Sequence, residues 1–165
     1  MIKVSANDLA FLSLWFVTVG VFLSMVFYAI PQIVHWQPEQ KIFDQRSCGY
    51  SFLAAREFLL AIGQEGRDAY RGAQRYLDLL FPALYSWALA WTCVRLLPQR
   101  LGLWRLLPVA LAVFCGAVDY LENSAIQAML NIDVDALNEA MVHKASSYTQ
   151  LKYLLFAVIA VVLVG

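Results

Sequence analysis

The chain has 165 residues, of which 61% are hydrophobic and 15% charged, and its twelve basic and twelve acidic side chains leave a formal net charge of zero. With a mean hydropathy of +0.62, it falls outside the soluble range and inside that of polytopic membrane proteins. The balanced charge gives no hint of a nucleic-acid partner. Cys48, Cys93 and Cys115 have no C-x-x-C spacing, so neither a dithiol relay nor a zinc-ligand pair is indicated.

A hydrocarbon core of about 30 Å is crossed by about 20 apolar residues in a helix. Four stretches meet that requirement, at about 9–30, 79–97, 106–130 and 147–164. The expected architecture is all-α, a single membrane domain over 1–165 built as an integral membrane four-helix bundle. The first stretch is longer than the ~7–15 apolar residues of a secretory signal and has no small-residue cleavage pattern before Pro31, so it reads as an uncleaved anchor.

The 31–78 segment separates spans one and two. "PQIVHWQPEQKIFDQRSCGYS" reads as an irregular interfacial stretch with Trp36 at headgroup level. "SFLAAREFLLAIGQEG" predicts a short amphipathic helix: Ser51 caps it, Phe52, Ala55, Phe58, Leu59 and Ile62 form its apolar stripe, and Gly63 ends it. Its expected seat is the membrane surface. No breaker is evident between Arg67 and Leu80, so span two is expected to begin as a helix outside the membrane and to bend at Pro82. Arg67, Arg71 and Arg75 then fall on one stripe, and Asp78 lies within reach of Arg75.

The loop between spans two and three carries Arg95, Arg100 and Arg105 with no acid. The loop after span three carries Asp133, Asp135 and Glu139 against Lys144. The positive-inside rule puts the Arg95–Arg105 loop and both termini in the cytoplasm, and the 31–78 and 131–146 segments on the outer face.

Span three holds the most informative residues. In "AVFCGAVDYLENSAIQAML", Asp119, Glu122 and Asn123 share one helical side, which Gln127 and Asn131 continue. An acid at the centre of a span costs about 2.5–3.5 kcal/mol on the insertion scale. Two acids three residues apart also repel, so one is expected to keep its proton or to find a cationic partner. Lys152 in span four is the available cation, with Tyr148, Gln150 and Tyr153 around it, and span two adds Tyr85.

Together these residues describe a polar pocket in the outer half of the bundle. Asp119 and Glu122 are the candidate acid/base pair; Asn123 and Tyr85 would orient a ligand, Lys152 would tune the acids, and Arg67, Arg71 and Arg75 with Asp78 would take a headgroup at the mouth. Such a gradient suits a membrane lipid or an isoprenoid-like amphiphile. The competing readings are a polar network that only holds helices together, as in an accessory subunit bound to other membrane subunits, and a small ion or proton carrier. No cofactor is indicated, and His35 and His143 lack the close spacing that would support a metal site with Glu122.

The stretches "FDQRSCGYS", "AIGQEGRDAY", "LDLLFPALY" and "DYLEN" resemble a mostly bacterial group of small four-span membrane proteins with the pattern FDxRxxGYS, LGxxGRxxY, DxxFPxxY and DxxEN. The likeness runs from Phe43 through the last span, and Ile62 stands where the pattern has Leu. It implies a bacterial inner-membrane protein and assigns no activity and no residue a role. The sterol isomerase and sigma-2 receptor family also buries acids among membrane helices, an analogy of architecture only.

Overall fold

The computed structural model describes residues 5–35 and 37–164. Trp36, expected at headgroup level, and Gly165 lie outside the described residues. Four helices are long and apolar enough to cross a membrane, and no strand occurs among the described residues. The protein is an all-α membrane bundle. Its long helices are α1 (Ala6–Ile33), α3 (Arg75–Leu96), α4 (Leu106–Leu130) and α5 (Glu139–Val164), with α2 (Phe52–Ala69) between the first two.

Local chemistry sets the helix ends. Ser5 and Asp8 form a reciprocal capping box at the start of α1. A single π turn, Met25–Ala29, precedes Pro31, so the missing proline N–H falls where the helical ladder is already interrupted and the helix continues to Ile33. Ser51 accepts from the Ala54 N–H to open α2. Gly63, at φ 60°, breaks α2 where a side chain would be strained.

The three C-terminal long helices form the packed body. α4 crosses α3 closely at Gly116, where an added Cβ would come within 2.9 Å of the Ser86 Cβ and 3.1 Å of the Pro82 carbonyl oxygen; small residues permit such approaches between membrane helices. α1 is peripheral. Of its first nineteen residues only Thr18 is buried, and its Trp15 Nε1 donates to Thr92 Oγ1 of α3 at 3.1 Å.

Two corrections concern the segment between α1 and α3. The amphipathic helix does not turn its apolar stripe to lipid: Ala55, Phe58, Leu59 and Ile62 are buried in a core with Phe43, Ile126 and Met129. Protein packing is available at that end of the bundle and removes the same apolar area from solvent. Nor is span two continuous from Arg67. Gly72, at φ −89° and ψ −111°, departs from helical geometry within the π turn Tyr70–Gln74, so α3 starts afresh at Arg75. One glycine suffices because, without a Cβ, it reaches backbone angles closed to other residues and holds a helix least well.

The stretch before α2 is also more than an interfacial loop. It forms a strap laid along α5. Tyr153 donates its hydroxyl to the Asp44 carbonyl at 3.0 Å, Gln150 Nε2 donates to the Cys48 carbonyl at 2.8 Å, and the Tyr50 N–H donates to Ser146 Oγ at 2.8 Å. Ile42 and Phe43 are buried beneath it, which carries Asp44 into the bundle.

Candidate functional site

The site is assembled around Lys152, half-way along α5 and only 7% exposed. Its ammonium lies 2.5 Å from Glu122 Oε2 and 3.3 Å from Asp119 Oδ1. Glu122 is wholly buried, and its other oxygen accepts from Thr149 Oγ1 at 2.6 Å. The i, i+3 spacing of Asp119 and Glu122 on α4, facing a lysine one turn beyond Thr149 on α5, lets both acids meet one cation.

A third carboxyl joins them from the strap. Oxygens of Asp44, Asp119 and Glu122 lie within 4.8 Å of one another, and Asp44 also accepts a short hydrogen bond from the Tyr70 hydroxyl. Outside the spans, burial holds the Tyr50 hydroxyl well above the usual phenol range, and the nearby Asp44 charge adds to the effect. Three carboxyls at this spacing are the donor set of a hard cation. Lys152 already stands between two of them, so a divalent ion there would share its ligands with an ammonium.

Asp78 completes the polar group. Pro82 has no N–H to donate to the carbonyl four residues earlier. That carbonyl, Asp78 O, accepts instead from Asn123 Nδ2 at 3.1 Å. The proline of one motif is thereby coupled to the asparagine of another across the α3–α4 contact. The Asp78 carboxylate does not pair with Arg75; it accepts from Gln74 Nε2 at 2.8 Å.

Asp44, Asp78, Asp119, Asn123 and Lys152 face a cavity of about 350 Å³. Its other wall is apolar, made by α1 through Met25 and Val26 and by Phe81, Phe156 and Ile42. Phe22, Phe81 and Phe156 also border a second, wholly apolar groove of about 240 Å³, which runs between α1 and α3 to Trp15 and Leu89. The seven helical steps from Phe22 to Trp15 span about 10 Å at 1.5 Å each.

The sequence-derived site residues divide into three groups. Asp119, Asn123, Lys152 and Asp78 are brought together at the cavity, with Glu122 sealed directly behind it. Tyr85 lies on the apolar groove, its hydroxyl donating to the Cys115 carbonyl at 3.2 Å. The arginines do not form one mouth, because the break at Gly72 disperses them. Arg67 is buried and donates to the Ile132 carbonyl at 3.0 Å, Arg71 pairs with Asp68 at 2.6 Å, and Arg75 borders a separate recess with Tyr120 and Gln127.

Three residues were missed by sequence reasoning: Asp44, Gln74 and Thr149. Asp44 had a signal, an acid beside buried-type residues in "KIFDQ", but its destination is more than a hundred residues away on α5. Gln74 and Thr149 carried no signal in composition or spacing. His143 is exposed and lies against Ser147, whereas Glu122 is wholly buried. Comparison with known protein families, curated proteins and solved structures finds no match to this chain.

Proposed function

We propose that the protein binds a lipid-like or isoprenoid-like amphiphile, with its polar head in the Asp119 cavity and its tail in the groove beside α1. The observation that carries this reading is the continuity of the two spaces. One end is lined by aspartates and a lysine, the other exposes only apolar surface, and the same three phenylalanines border both. A ligand with a polar head and a chain of about 10 Å or more matches that gradient. The weak packing of the first part of α1 supports it too: of Ala6–Ser24 only Thr18 is buried, and so loosely held a segment can yield to let a tail enter from the bilayer.

Asp119 is the member of the acid pair that borders the cavity, so it is the group able to exchange a proton with a bound head. Glu122, behind it, acts through Lys152 and is a positioning residue. The arginines that sequence reasoning assigned to the headgroup are engaged elsewhere. The capped end, with the strap and α2, is assigned to the outer face by the arginine-rich Arg95–Arg105 loop at the opposite end. A second reading, an accessory subunit held together by polar contacts, draws support from the ion pairs that Lys152 makes internally.

Native mass spectrometry of the protein released from a mild non-ionic detergent tests this. Wild type and Arg71→Ala are expected to retain a bound amphiphile of one defined mass. Leu89→Trp, which fills the groove, and Asp119→Leu, which strips the head site, are expected to lose it. Stoichiometric protein partners with no small molecule would replace the amphiphile reading with the accessory-subunit one.

A further inference from the structure

The hydrogen-bond inventory of the cavity identifies the kind of head it takes, provided the amphiphile reading holds. Most donor groups around it already direct an N–H or O–H at a protein acceptor. Lys152 donates to Asp119 at 3.3 Å, Gln74 Nε2 to the Asp78 carboxylate at 2.8 Å, Asn123 Nδ2 to the Asp78 carbonyl at 3.1 Å, and the Tyr153 hydroxyl to the Asp44 carbonyl at 3.0 Å. Gln45 alone adds an amide that both donates and accepts.

Acceptors, by contrast, are in excess. Gln74 is 0% exposed on the cavity wall and its Oε1 has no hydrogen-bond partner; Asn123 Oδ1, on the same wall, has none either. Rotating either amide does not remedy this, because it would turn an oxygen toward the Asp78 carboxylate or carbonyl. Charge is equally one-sided, with four carboxyls (Asp44, Asp78, Asp119 and Glu122) grouped around one ammonium. Buried acceptors and carboxylates are costly without donors and positive charge to meet them.

We propose that the cavity binds the primary ammonium head of a long-chain amine, its three N–H groups donating to Asp78, to Asp44 or Asp119, and to the unpartnered Gln74 Oε1, with the alkyl chain in the apolar groove. An ammonium carries three donors and no acceptor, matching a wall on which unpartnered acceptors and carboxylates outweigh the donors. A phosphate or carboxylate head would meet like charge and find no arginine, since Arg67 and Arg71 are engaged elsewhere. A bare divalent cation would leave the apolar groove without an occupant.

The test uses the full-length protein in nanodiscs of a neutral, zwitterionic lipid, titrated at neutral pH with four probes of one chain length: dodecylamine, dodecyltrimethylammonium, dodecanol and dodecyl phosphate. Dodecylamine is expected to bind at one per chain, at least about tenfold more tightly than the trimethylammonium probe, which has the charge but no N–H donor. Gln74→Leu and Asp78→Asn are each expected to weaken the amine by about tenfold and to weaken dodecanol, which has one uncharged donor, by less; Gln74→Leu carries the test if Asp78→Asn misfolds.

Equal binding of the amine and the trimethylammonium probe would overturn the donor-reading site. Preference for the phosphate would overturn the cationic head and leave the amphiphile pocket standing. When the dodecylamine titration is repeated with magnesium or calcium added, exclusion of the amine by the metal would replace the ammonium with an inorganic cation. Failure of all four probes would reject the amphiphile pocket itself.

Discussion

Pro82 and Asn123 should be energetically coupled although neither touches the other's motif in sequence. Proline at position 82 deprives the Asp78 carbonyl of its helical donor, and Asn123 Nδ2, at 3.1 Å, is what meets that carbonyl. Asn123→Ala then leaves an acceptor unpaired inside the bundle. An unsatisfied buried acceptor costs about 1–3 kcal/mol, while interhelical hydrogen bonds measured in membrane proteins average about 0.6 and reach about 1.7 kcal/mol. The expected cost is therefore about 1–2 kcal/mol in the native background. In a Pro82→Ala background the restored N–H serves the Asp78 carbonyl, and the same asparagine substitution should cost less than about 0.5 kcal/mol, giving a coupling of about 1 kcal/mol. The control is Tyr120→Phe. The Tyr120 hydroxyl donates to the Leu79 carbonyl at 2.8 Å, whose helical donor at Ala83 is untouched by the proline, so its cost should not change with residue 82. The assay is reversible unfolding by dodecyl sulfate in mixed micelles, followed by tryptophan fluorescence. Equal costs for Asn123→Ala in both backgrounds would refute the reasoning.

Lys152→Met should destabilise the bundle by about 3–5 kcal/mol in the same assay, because it strands the carboxyls at 2.5 and 3.3 Å from its ammonium. Adding Glu122→Gln should recover about half of that loss, since the amide can still meet Thr149 without a charge; a loss under about 1 kcal/mol for Lys152→Met would show that the ion network contributes little. Cys48 is exposed while Cys93 and Cys115 are buried, so a membrane-impermeant maleimide should label one thiol per folded chain. In intact cells that label is expected from outside; protection until the membrane is permeabilised would reverse the assigned orientation.

Local rules were enough to read much of this protein from its sequence. Apolar runs of about 20 residues mark the spans whatever their neighbours, since each helix satisfies its own backbone in lipid. Ser51 opens α2 and Gly63 breaks it within its length, both by chemistry confined to a few residues. The cost of burying Asp119 and Glu122 made them conspicuous in a single helix, and the reach of Lys152 made it their evident partner. What the sequence left open depended on contacts between distant segments. The apolar stripe of α2 reads the same whether it meets lipid or protein, and only the presence of Phe43, Ile126 and Met129 beside it decides for protein. The stripe of arginines required an unbroken helix, and the turn at Gly72 removed it. Asp44 reaches the acid cluster because the strap is bonded along α5 at Ser146, Gln150 and Tyr153. Those three hydrogen bonds join residues about a hundred positions apart, and no periodicity encodes a bond of that kind. The sequence alone thus determined which groups are costly to bury, and the tertiary structure decided which of them share a cavity.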